Sequence, residues 1–191
     1  MKNLIIAIKV FVFLTVITGI IYPLVITGVA QLLLTDKANG SLIINNGKVI
    51  GSELIGQKFV SPDYFWGRPS AIDYNPFPSG ASNLNPVGNK LKEQIQIRID
   101  TIRKYHGNIP IQSIPKDLLF ASASGVDPHI SPEAAYFQVE RICKYRNYNA
   151  KQKKKLLKII ESSIESDDLF IGGQKRVNVL NLNRKIFNYE L

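Results

Sequence analysis

A single cysteine, Cys143, excludes an internal disulfide, so the folded chain holds by packing alone. Two histidines and that one thiol, with no H-x-x-x-H and no C-x-x-C spacing, exclude a recognisable zinc site. There is no Walker A phosphate loop and no G-x-S-x-G elbow. Internal repeats and low-complexity tracts are also missing. The most informative absence is of charge: no Asp, Glu, Lys or Arg lies between Lys9 and Asp36.

That gap is an apolar run from Val10 to Leu34, VFVFLTVITGIIYPLVITGVAQLLL. About 20 apolar residues cross a hydrocarbon core as a helix, and a lone segment in lipid has no other way to satisfy its backbone. A secretory h-region is shorter, about 7–15 residues, and ends at an A-x-A-like site that this run lacks. The expectation is therefore an uncleaved transmembrane helix over 10–34, an N-terminus of residues 1–9, and one domain over 36–191. Pro23 removes a donor near the middle and predicts a kink. Gly19 and Gly28 offer flat spots for another helix. Lys2 and Lys9 precede the span and Asp36 follows it, so the positive-inside bias puts the N-terminus in the cytoplasm and the body outside. Of the 24 Lys and Arg, 22 fall after the span, but long domains cross largely regardless of charge.

The remainder, about 155 residues, is long enough for one domain with a real core. Its pattern predicts an α+β fold: a single N-terminal transmembrane helix, then one extracytoplasmic domain with a small antiparallel or mixed sheet and about three helices. Two β-rich arms, 41–45 and 48–51, flank Asn46-Gly47, a strong hairpin signal. From Tyr64 to Gly88, Gly and Pro recur every few residues and exclude regular structure. Tyr64, Phe65, Trp66 and Tyr74 need something to pack on, which makes this an ordered surface loop. Asn85-Pro86 opens a helix with Val87, Leu91, Ile95, Ile99 and Ile102 on one face, and Gly107 closes it. His106, in its last turn, reads as a cation complementing the dipole. LLFAS is a strand or a short helical turn. Ser131-Pro132 opens a helix running to Tyr145 with Ala135, Val139, Ile142 and Cys143 inward. Asn149 caps a third, with Leu156, Leu157, Ile160 and Ile164 inward and its lysines outward. RVNVLNLN, 176–183, alternates as a strand, with its apolar phase slipping between Val179 and Leu180.

Between Arg141 and Lys158 there are eight Lys or Arg and no acid. A solvated helix face explains them, with anionic lipid or an acidic partner as alternatives; without aromatics interleaved on one groove-like face they are a weak signal for nucleic acid. ASASGVDPHISP gathers Ser122, Ser124, Asp127, His129 and Ser131. A membrane-anchored external hydrolase would take Ser124 as nucleophile and His129 as base, although triad members usually meet from distant elements. Asp127-Pro128 already reads as a turn and Ser131 as a cap. IGGQ, 171–174, leads into a strand and reads as a β-turn, with no helix terminus to hold a phosphate. Arg68, framed by aromatics, Gly67 and Pro69, is positioned either for an interface or to cap its own loop.

Several long blocks in order (IIYPLVITGVAQLL, GKVIGSELIGQKF, YFWGRPSAIDYN, ASNLNP, ASASGVDPHISPEAAYFQVERI and RVNVLNLN) resemble the C-subunit family of the Kdp potassium-transporting P-type ATPase. Asn85 stands where the family has Gly, and the segment 151–155 matches none of its motifs. The resemblance implies an accessory, non-catalytic subunit of the plasma (inner) membrane. Its partners would be a channel-like K+-binding subunit, an ATP-hydrolysing pump subunit and a small single-span subunit. ATP and K+ act through that complex, with no cofactor bound by this chain itself. It implies subunit-interface or structural roles for Trp66, Gly67, Arg68, Ser70, Asn75, Ser82, Asn83, Ser124, Gly125, Asp127, Pro128 and His129. The family role of raising the pump's ATP affinity fits an external domain only if the coupling is indirect, through preferential binding of one pump conformation.

Overall fold

The structure is a computed structural model that describes residues 1–45, 47–166 and 173–188, and it is α+β. Compact packing divides the chain into 1–52 and 53–191.

In the first unit one helix runs Lys2–Leu33, long and apolar enough to cross a membrane, as α1 (Lys2–Val16), a π-helical turn (Ile17–Ile21) and α2 (Tyr22–Leu33). Where the sequence predicts a kink, the structure places this wide turn. The Pro23 ring would press on the carbonyl four residues back, at Gly19, which lies inside the π turn. Thr15 and Thr18 donate their hydroxyls to Phe11 O and Leu14 O, so neither is left bare on an apolar helix. No residue of α1 or α2 is buried. A Cβ at Gly19 or Gly28 would meet open space. After α3 (Thr35–Ala38), β1 (Leu42–Asn45) pairs antiparallel with β2 (Lys48–Ser52), as the hairpin signal predicts. Asn46 lies outside the described residues, while Gly47 has φ +74°, the left-handed region such a turn needs. The register shifts between Ile43 and Ile44, leaving Ile50 as the extra residue of a bulge.

In the second unit α4 (Asn89–His106) buries Ile99 and Ile102. It begins three residues later than the Asn85-Pro86 signal predicts, with Gly88 in the cap position. The Asn85 side chain instead accepts Val87 N, and Gly88 N reaches Asn85 O, a local turn that outcompetes the helix. Gly107 closes α4 with φ +90°. A 3-10 turn (Ile111–Ser113) leads to α5 (Lys116–Leu119), so LLFAS contributes to a short helical turn. β3 (His129–Ile130) precedes α6 (Pro132–Phe137) and α7 (Val139–Tyr145), where the sequence predicts one helix. The break falls at Gln138. α8 (Ala150–Glu161) has the full capping box between Asn149 and Gln152. It ends before Ile164, which belongs to β4 (Ile164–Glu165).

The largest correction is at 176–183. Only β5 (Arg176–Asn178) is a strand, and α9 (Val179–Asn188) follows at once. The phase slip is the change from a period of two to 3.6: Val179, Leu182 and Ile186 recur at helical spacing and are buried. Asn178 ends the strand and accepts Asn181 N with its side chain, the bond of an N-cap. β5 is central in a three-stranded antiparallel sheet, order β3-β5-β4. Ile142, Leu156, Ile160, Val177 and Leu182 are fully buried between this sheet and the helices, and Cys143 joins them as a small core residue.

Candidate functional site

The irregular stretch 58–88 owes its order to partners far along the chain. Phe65 is fully buried. Its backbone N–H donates to Asn183 Oδ1 at 2.8 Å, and its carbonyl accepts Asn183 Nδ2 at 2.9 Å. Next to it, Trp66 N donates to Gln138 Oε1 at 2.7 Å and Trp66 O accepts Gln138 Nε2 at 3.1 Å. Two buried carboxamides thus pair with two consecutive peptide units, replacing a strand that the sheet does not supply. Neither was singled out from the sequence. The available signal was a polar residue in the apolar phase of a helix: Gln138 beside Ala134, Ala135 and Ile142, and Asn183 between Val179 and Ile186.

Arg141 sits beneath this pair, 1% exposed. Its guanidinium lies 3.9 Å from the Trp66 ring centroid. It donates to Gln138 Oε1, to Pro62 O and to His106 Nε2 at 3.1 Å. Burial brings the Arg141 pKa down to about 9, although Asp63 opposes this. Burial first, and then the Arg141 charge, push His106 down to about 4. His106 is therefore a neutral acceptor stacked on Phe137 at 4.6 Å, and the cationic reading is corrected. An imidazolium has no lone pair to accept the Arg141 bond.

Arg68 heads a second cluster. It lies 3.2 Å from Asp127 Oδ2 and reaches Ala121 O at 3.5 Å. Asp127 Oδ1 accepts His129 N and lies 3.4 Å from His129 Nδ1; His129 Nε2 is 3.6 Å from Glu165, which pairs with Arg176 at 3.2 Å. Burial would raise the Asp127 pKa, but the His129 hydrogen bonds and the Arg68 charge outweigh it and hold the carboxyl below its ordinary value. This row of polar contacts ties the loop to β3, β4 and β5. Both His129 nitrogens face carboxylates, while Ser124 Oγ accepts Val126 N. The two are therefore not joined as nucleophile and base, and the hydrolase reading loses its geometry.

The remaining sequence-selected residues shape the backbone. A Cβ on Gly67 would lie 2.6 Å from the Tyr74 hydroxyl, which donates to Arg68 O. Burial and nearby Asp127 raise Tyr74 to about 12, so it stays a donor. Ser70 Oγ accepts Ile72 N and Tyr74 N, and Asn75 accepts Phe77 N. Gly125 has φ +72°, and a Cβ there would strike Ile72 and Gly80. Pro128 O accepts Val179 N, which fixes the start of α9. Asn83 occupies the left-handed region at φ 47°, and Ser82 is half-buried. Of the 171–174 motif, Ile171 and Gly172 lie outside the described residues. Among the described residues no group of three metal-ligating side chains converges.

A helix long and apolar enough to span a bilayer, joined in sequence to an α+β body whose polar clusters fasten its own loops, is the make-up of a chain of the single-helix membrane class. Comparison with known proteins specifies which one: residues 4–187 match the family described as "KdpC: K+-transporting ATPase, c chain", and the chain belongs to that family. It is 45% identical over 188 residues to the potassium-transporting ATPase KdpC subunit of Polaromonas naphthalenivorans (strain CJ2), covering 96% of this chain and 93% of that one. It is 43% identical to the KdpC subunit of Leptospira interrogans serogroup Icterohaemorrhagiae serovar copenhageni (strain Fiocruz L1-130), covering 95% and 91%. The KdpC subunit of Bacillus cereus (strain Q1) shares 44% identity, covering 92% and 90%.

Proposed function

We infer that this chain serves as the accessory C subunit of an ATP-driven potassium uptake complex and has no reactive centre of its own. Its partners are a channel-like K+-binding subunit, a pump subunit that hydrolyses ATP and a small single-span subunit. The helix anchors it in the plasma (inner) membrane, with the body on the extracytoplasmic side. From there it changes the pump's ATP affinity indirectly, by binding one conformation of the assembly better than another. One observation carries the non-catalytic reading: Ser124 and His129 are occupied by Val126 N, Asp127 and Glu165.

The test is purification through a tag on this chain from membranes that express the whole complex. The other subunits should co-purify, and potassium-stimulated ATP hydrolysis should fall when this chain is left out. The purified chain alone should hydrolyse nothing. Turnover by the chain alone that is lost in Ser124→Ala would overturn the non-catalytic role. Full assembly and transport without the chain would overturn the subunit role.

A further inference from the structure

A cavity of about 380 Å³ opens between the 58–74 segment and one face of α4. Phe59, Val60, Trp66, Ile102, Tyr105 and Leu118 form its wall. A mostly apolar wall with a few placed polar groups, at this size, is the usual make-up of a small-ligand site. Trp66 and Tyr105 meet edge to face at 5.5 Å, so two aromatic rings stand at fixed angles in it. Its charge is one-sided. Lys58, Arg68 and Arg98 line it with Asp73 as the one lining carboxylate among the described residues; Lys58 holds Asp73 at 2.6 Å, and Arg68 has its carboxylate partner, Asp127, outside the lining. Arg98 is committed to Leu119 O and Gln94. Arg68 is not fully matched: of the five N–H groups of its part-exposed guanidinium, Asp127 and Ala121 O take one each. A guanidinium with N–H groups to spare takes further acceptors, and a carboxylate suits its planar fork best.

We propose that this cavity binds a small carboxylate with an aryl or alkyl body, the body against Trp66 and Tyr105 and the charge toward Arg68. The same chemistry comes from a free small acid or from an acidic side chain next to an apolar one on a partner subunit. The site itself does not depend on the subunit reading, because the first arm below uses this chain by itself.

Trp66 is the chain's one tryptophan, so its emission reports on the site directly. The full chain in nanodiscs of zwitterionic lipid is titrated with phenylacetate, phenylacetamide and phenethylamine, with indole excited selectively. Phenylacetate should shift the emission saturably, and the amide and amine should bind at least tenfold more weakly. Arg68→Gln should weaken phenylacetate about tenfold, the equivalent of about 1.4 kcal/mol. Val60→Glu should weaken it as well, by repulsion at the wall; Val60 is 68% exposed, so this variant keeps the fold if Arg68→Gln does not. A shift that never saturates, equal responses to the three probes, or indifference to Val60→Glu overturns the proposal. In the second arm the assembled complex is titrated. A response abolished by assembly together with altered Trp66 emission assigns the carboxylate to a partner; a retained response assigns it to a free acid. Either result supports the site.

Discussion

Asn183 and Gln138 each do with one side chain what an adjacent strand does with its backbone. Replacing Asn183 with Leu keeps much of the volume but leaves the buried N–H and C=O of Phe65 both unpaired. Each such group costs about 1–3 kcal/mol, so Asn183→Leu should destabilise the body by about 2–6 kcal/mol, read from denaturant midpoints. His106 acts through its protonation state. Its folded pKa is about 4 against an ordinary 6.5, so between these values the unfolded chain binds a proton that the folded chain refuses. Stability should therefore fall as pH drops from about 6.5 to about 4, with no further loss from this group below that. His106→Gln keeps an acceptor without a titrating ring, and the pH dependence in that window should flatten relative to the parent.

At the scale of elements, boundaries follow whichever local bond wins. Asn149 caps α8 because its side chain and Gln152 satisfy each other's backbone. Asn149→Ala should cost about 1 kcal/mol in thermal or urea unfolding. Asn85 carries the same cap signature yet closes a turn, since Gly88 lets the chain fold back before α4 begins. The hairpin, the Ser131 cap and the inward faces of α7 and α8 were legible because one-dimensional periodicity and short motifs encode them. The β5–α9 junction left a trace, the phase slip at Val179-Leu180, but a slip alone does not separate a bulge from a change of period. The site was legible only in part. Arg68 and Asp127 stand out by their turn context, whereas Gln138, Arg141 and Asn183 matter through contacts 72 or more residues away. No local pattern records pairings of that length.

For the whole molecule, the orientation proposed above is the statement most open to direct measurement. The native Cys143 is buried, so it gives little background to thiol labelling. Lys151 and Lys154 are exposed on α8, and Lys151→Cys or Lys154→Cys should react with a membrane-impermeant maleimide on intact spheroplasts. Reaction confined to inverted vesicles would place the body in the cytoplasm and bring direct contact with nucleotide back into consideration. Wherever it lies, the Phe65 tether spans 118 positions of sequence. A chain made or delivered N-terminus first presents its tryptophan segment long before Asn183 arrives to fasten it. Stalled or clipped products would therefore display a loose, aromatic-rich segment, a mark by which proteolytic quality control could distinguish them from finished chains.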